Sequence, residues 1–127
     1  MTLPVLPNKE LEIIDPQKLA EIDLTDEVHL LDTAVAGMCF RCDPLMVASS
    51  LNKGDELQLV REPDNKFDSM AIKVMLDGVH IGYLPRKDNK VISNLMDAGR
   101  HITCEVSDVK TYVDDAEILI KVSMRDV

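Results

Sequence analysis

Asp77-Gly78 stands between two apolar runs, Ala71–Leu76 and Val79–Leu84. An Asp-Gly pair supplies the positive φ angles that a two-residue hairpin turn demands. The two runs are therefore expected to pair as antiparallel strands, which commits the middle of the chain to β structure. The flanking sequence agrees. Glu56–Val60 alternates Leu57 and Leu59 with Glu56 and Gln58, the period of a half-buried strand. Ile102–Val109 and Glu117–Met124 alternate in the same way and are joined by Tyr112–Asp115. Val28–Arg41 contains Leu30, Leu31, Val35 and Phe40, and a first strand is expected near 31–41.

Helix signals are fewer. Asp15-Pro16 pairs a capping side chain with a first-turn proline and predicts a short helix over 16–22. Asp43-Pro44 repeats that signal ahead of Leu45, Met46, Val47 and Leu51. Lys87–Ala98 places Val91, Ile92, Leu95 and Met96 on one stripe and is stopped by Gly99. Short, closely spaced strands with few helices predict a mainly β protein. The expected architecture is a small OB-like or SH3-like β-barrel with a short N-terminal helix and one longer helix near 87–98.

Charge divides the chain. Residues 1–36 carry eight acids and two bases, a balance of −6 out of a net −9, whereas 37–110 carry eleven and ten. The expected organisation is an acidic arm over 1–31 and a nearly neutral barrel over 32–127. Such a barrel suits a local contact with a strand end better than coating a duplex, which needs many Lys and Arg on phosphates. No apolar run reaches the ~20 residues that cross a bilayer. Three cysteines without a secretion signal fit a reducing, cytoplasmic setting.

Four aromatics occur, Phe40, Phe67, Tyr83 and Tyr112, so an aromatic placed in a loop carries information. Phe67 lies in the polar stretch Glu62–Ser69 among Asp64, Asn65, Lys66 and Asp68. A ring there serves either a satellite of the core or base stacking. Asn65 reads as structural, since Asn side chains in loops bond their own backbone. Asp68 suits a sugar hydroxyl and would repel a phosphate. Arg86 and Lys87, after Pro85 at a helix start, lie where free N–H groups also attract anions.

Cys39-Phe-Arg-Cys42 and His101-Ile-Thr-Cys104 together hold four residues of zinc-ligand type. Cys39 is expected within a strand, however, and no knuckle glycines support either pair, so buried free thiols are the preferred reading. No nucleophile elbow, P-loop, Gly-x-Gly-x-x-Gly or HExxH is present. Asp114-Asp115 reads as a solvated turn. Neither catalysis nor a cofactor is expected.

The series Val35-Ala-Gly37, Gly54-Asp55, Leu59-Val-Arg-Glu-Pro-x-Asn65-x-Phe67-Asp68-x-x-Ala71-Ile72-x-Val74, Gly78, Ile81-Gly-Tyr-Leu-Pro85 and Gly99 resembles the HIRAN domain over about residues 32–109. That family occurs at the N-terminus of helicase-like DNA translocases, whose ATP-hydrolysing motor has no counterpart in these residues, and as small stand-alone bacterial proteins. The resemblance implies an OB-like barrel that captures the 3′ end of single-stranded DNA, a role suited to DNA repair. Carried over by position, Phe40 and Phe67 stack bases, Asp68 takes the 3′ hydroxyl and Arg86 meets phosphate, with Lys87 beside it. Both aromatic positions are Phe rather than Tyr. Cys39 stands where DNA-binding members carry Arg, with Arg41 two residues on as the nearest replacement. The alternative is a protein-interaction module whose acidic arm, residues 1–31, docks on a basic protein or a second copy of the chain.

Overall fold

A computed structural model describes residues 27–38 and 42–125. The short helix expected over 16–22 lies outside them, as do Cys39, Phe40 and Arg41. The elements are β1 (Glu27–Ala34), α1 (Pro44–Ser49), β2 (Glu56–Arg61), β3 (Ile72–Leu76), β4 (Val79–Tyr83), α2 (Arg86–Asp97), β5 (His101–Thr111) and β6 (Ala116–Arg125). The protein is mainly β. All strands are antiparallel, in the order β1-β6-β5-β2-β3-β4. The two ends of this sheet meet where Ala36 bridges Tyr83, the Ala36 N–H reaching the Tyr83 carbonyl and the Tyr83 N–H the Ala36 carbonyl, both at 2.8 Å. That closure makes a small OB-like barrel.

The expected hairpin forms: Leu76 faces Val79, with φ of 49° at Asp77 and 84° at Gly78, the two positive angles of a type I′ turn. The first strand starts and ends earlier than expected, at 27–34 rather than 31–41. Its first three residues are exposed, which weakens the alternation a sequence reading relies on. Pairing with β6 fixes it instead, from Glu27 opposite Arg125 to Ala34 opposite Leu119.

The core is aliphatic, as the scarcity of aromatics requires. Ile72, Val74, Ile92, Ile118, Ile120 and Val122 are fully buried, with Leu57, Ile81, Leu84 and Val106 around them. α2 covers one end of the barrel with Asn89, Ile92 and Ser93, the i, i+3, i+4 face of a helix.

Gly82 sets the wall next to the closure. A Cβ there would lie 2.5 Å from the Ala36 carbonyl oxygen and 2.6 Å from Val35 Cγ1. Only glycine lets the chain after β1 cross β4 this closely.

Candidate nucleic-acid interface

The segment between β2 and β3 is built around Asn65. Its Oδ1 accepts the backbone N–H groups of Phe67 at 2.8 Å and Asp68 at 3.0 Å. Its Nδ2 donates to Glu62 Oε1 at 2.7 Å, and the Tyr83 hydroxyl donates to that same carboxylate oxygen at 2.8 Å. These bonds hold Glu62 below the usual carboxylate range, the Asn65 contribution being the larger. Asn65 therefore has the structural role its residue type suggested. Tyr83, which the sequence placed on a strand and in the family pattern without a role, ties the loop to β4.

Asp68 is held on both oxygens. Oδ1 accepts the Met70 N–H at 2.9 Å, and Oδ2 accepts Asn89 Nδ2 at 2.9 Å. Arg86 Nε lies 3.5 Å from Oδ2, and Arg86 Nη2 donates to the Phe67 carbonyl. The Asn89 bond, then the Met70 bond and Arg86, keep the Asp68 carboxyl below its ordinary value. The start of α2 is thus clamped to the loop, and Ser93, one turn on, donates to the Met70 carbonyl at 2.6 Å. Arg61 steadies the far side by pairing with Asp97 through Nε at 2.9 Å and Nη2 at 3.1 Å while donating to the Ala71 carbonyl.

The result is a cleft of about 370 Å³ lined by Ala36, Asn65, Phe67, Asp68, Tyr83, Arg86 and Asn89, among others. Phe67 is 86% exposed on its lip, so packing does not explain it. Phe67, Asp68 and Arg86 are brought together as the sequence suggested. Lys87 is not: it lines a different groove, with Asp32, Thr33 and Glu117, and its Nζ lies 3.6 Å from Asp88 Oδ2. The sequence reading missed Asn89. Its signal was faint, a polar residue on the buried stripe of a helix, three and four positions before Ile92 and Ser93.

Of the zinc-type residues, the three described ones, Cys42, His101 and Cys104, do not converge. His101 and Cys104 are three apart on β5 and project from opposite faces, His101 exposed and Cys104 buried. The single Cys42 S–H lies within reach of the Met38 and Ile81 carbonyls instead, at 3.5 and 3.6 Å. Among the described residues no group of three or more His, Cys, Asp or Glu is placed to hold a metal. Nor is any helix there long and apolar enough to cross a membrane.

The chain is 35% identical over 90 residues to a Fanconi-associated nuclease 1 homolog from Oryza sativa subsp. japonica, a match spanning 66% of this chain and 9% of that protein. The chain thus corresponds to a small part of that relative. In structure it is similar to a protein from Lactobacillus plantarum, with a TM-score of 0.71 and 24% identity over 80% of this chain and 98% of the other. It is also similar to the HIRAN domain of human HLTF, with a TM-score of 0.60 and 20% identity over 78% of each chain. These two likenesses establish the barrel. The HIRAN domain model itself matches residues 28–124, from the start of β1 to the end of β6, and the chain belongs to the HIRAN domain family.

Proposed function

We propose that this chain is a non-catalytic nucleic-acid-binding module that takes the 3′ end of a single DNA strand in the cleft beside Phe67. One relative carries the name of a nuclease, an enzyme class that works on nucleic acid, and this supports the reading at the level of ligand class. The observation that carries it is Phe67, 86% exposed at the edge of the cleft and mounted on a braced loop. A terminal base stacks on that ring, a contact worth roughly 1–3 kcal/mol. Phe40 is the second stacking ring by position in the family pattern, with Arg41 beside it.

Asp68 completes the end recognition. Held ionised by Asn89, Met70 and Arg86, it accepts a hydrogen bond from a 3′ hydroxyl and repels a 3′ phosphate. Arg86 has two roles: it clamps the loop through the Phe67 carbonyl and keeps further guanidinium N–H groups for a phosphate. The first turn of α2 adds to this, because its cap position is Pro85 and no side chain covers the free N–H groups. Lys87, in the neighbouring groove, contributes charge at longer range.

Fluorescence anisotropy at low salt, where phosphate contacts are strongest, tests the proposal with strands ending in 3′ hydroxyl or 3′ phosphate. Tighter binding of the hydroxyl end, with shifts of the Phe67-loop resonances, is the expected result. Equal binding of the two ends, or no shift in that loop, overturns it.

A further inference from the structure

Asn89 is 4% exposed, yet its hydrogen bonding is half complete. Nδ2 donates to Asp68 Oδ2 at 2.9 Å, an assignment that follows because an ionised carboxylate only accepts. Among the described residues the Asn89 Oδ1 meets no donor, and the side chain has no other hydrogen bond. A buried amide carbonyl without a donor is uncommon and costly, so such a group calls for a partner. Asn89 lines the same cleft as Phe67 and Asp68, so a ligand in that cleft meets this amide.

The neighbouring groups define the ligand atom that would satisfy it. The cleft, about 370 Å³, is at the small end for an organic ligand, the scale of a single terminal nucleoside. Phe67 at the lip receives the base, and Asp68 receives the 3′ hydroxyl. Asn89 is bonded directly to Asp68, so it meets the same sugar rather than the base. The Asp68 carboxylate already takes Met70 N–H and Asn89 Nδ2 and faces Arg86, which leaves about one of its roughly four acceptor positions. A second sugar donor must therefore go elsewhere. Beside a 3′ hydroxyl on a sugar, that donor is a 2′ hydroxyl, the group by which proteins separate ribose from deoxyribose.

We propose that Asn89 is a specificity residue, and that the cleft prefers a strand whose last sugar carries a 2′,3′-diol, with the 3′ hydroxyl donating to Asp68 and the 2′ hydroxyl to Asn89 Oδ1. The inference rests on the strand-end reading given above and names its ligand more narrowly: a single strand terminated by one ribonucleotide.

Four oligonucleotides identical except at the last residue test it: deoxy with 3′ hydroxyl, deoxy with 3′ phosphate, ribo with the free diol, and 2′-O-methyl with 3′ hydroxyl. The wild-type chain is expected to bind the diol about fivefold tighter than the deoxy end, the scale of one net hydrogen bond. The 2′-O-methyl end, which keeps the ribose pucker but loses the donor, gains nothing. In Asn89→Leu the diol preference disappears, whereas loss of support for Asp68 alone would weaken diol and deoxy ends together and leave their ratio intact. A diol that binds no better than the deoxy end, a 2′-O-methyl end that matches the diol, or a preference that survives in Asn89→Leu overturns the assignment. The wild-type comparisons decide it even where the variant folds poorly. Should the deoxy 3′ hydroxyl outbind the 3′ phosphate with no gain from the diol, only the Asn89 assignment falls. Equal binding of those two deoxy ends removes the strand-end reading, and the assignment with it.

Discussion

Asn65 Oδ1 accepts the Phe67 backbone N–H at 2.8 Å, so the exposed ring at the cleft hangs from an ordered peptide. The side chain that fixes the loop and the ring proposed to meet a strand end are two residues apart, and their energetics separate cleanly.

Phe67→Ala is expected to leave stability within about 0.5 kcal/mol, as for a surface substitution. Binding of a strand end weakens by roughly 1–3 kcal/mol if the ring stacks a base. Urea unfolding and anisotropy on the same sample check the two halves. A stability loss larger than the binding loss would return Phe67 to a packing role.

Asn65→Ala does the reverse. It removes the acceptor for the Phe67 and Asp68 N–H groups and the donor to Glu62, and destabilises by about 1–3 kcal/mol. Amide exchange in 62–70 should rise before any change in β5 or β6.

Gly82→Ala meets backbone, the Ala36 carbonyl at 2.5 Å, as well as the Val35 side chain at 2.6 Å. The cost is about 1–3 kcal/mol, typical of overpacking. It should show in the urea midpoint and as loss of the paired Ala36 and Tyr83 amide protection.

Acid should act through the loop. Asp68, Glu62 and Asp97 are all held below their ordinary values, chiefly by Asn89, Asn65 and Arg61 in turn. A depressed folded value means stability that is fully present above the unfolded value and lost as pH falls through the folded one. With unfolded carboxyls near pH 4, the contribution is constant from about pH 7 to 5 and declines below that. Asp97→Asn should flatten part of that decline in urea midpoints taken between pH 6 and 3. An unchanged slope would count against the Arg61 pair.

Burial pushes the Cys104 thiol up to about 12, with Glu105 adding to the effect. In the native protein Cys104 should resist alkylation at pH 8, since the thiolate is the reactive form. Mass-spectrometric site mapping with and without urea checks this, and rapid native labelling would overturn it.

The barrel was legible in the sequence because its signals are local. Asp77-Gly78 set a hairpin, alternation marked β2, β5 and β6, and the Val91–Met96 stripe marked α2. β1 was misplaced because what holds it is β6, ninety residues away and invisible to a periodicity count. At the cleft, Phe67, Asp68 and Arg86 were singled out from residue type and family pattern, and the fold places them together. Asn89 was not, because a buried amide inside a helix looks like a defect in an apolar stripe until its partner is placed beside it. Lys87 looked equivalent to Arg86 in sequence, yet one step around a helix sent it to another groove.

The pairing of β1 with β6 also bears on how the molecule is made. The first described strand has no neighbour in the sheet until residues 116–125 arrive; earlier in the chain it is tied by the Ala36–Tyr83 bridge just after it and by Thr33 Oγ1 donating to Asp88 Oδ2 at 2.7 Å. Contacts between sequence-distant segments form late and slowly. During synthesis the central hairpin can fold as it leaves the ribosome, whereas β1 must wait with an open edge for the last strand.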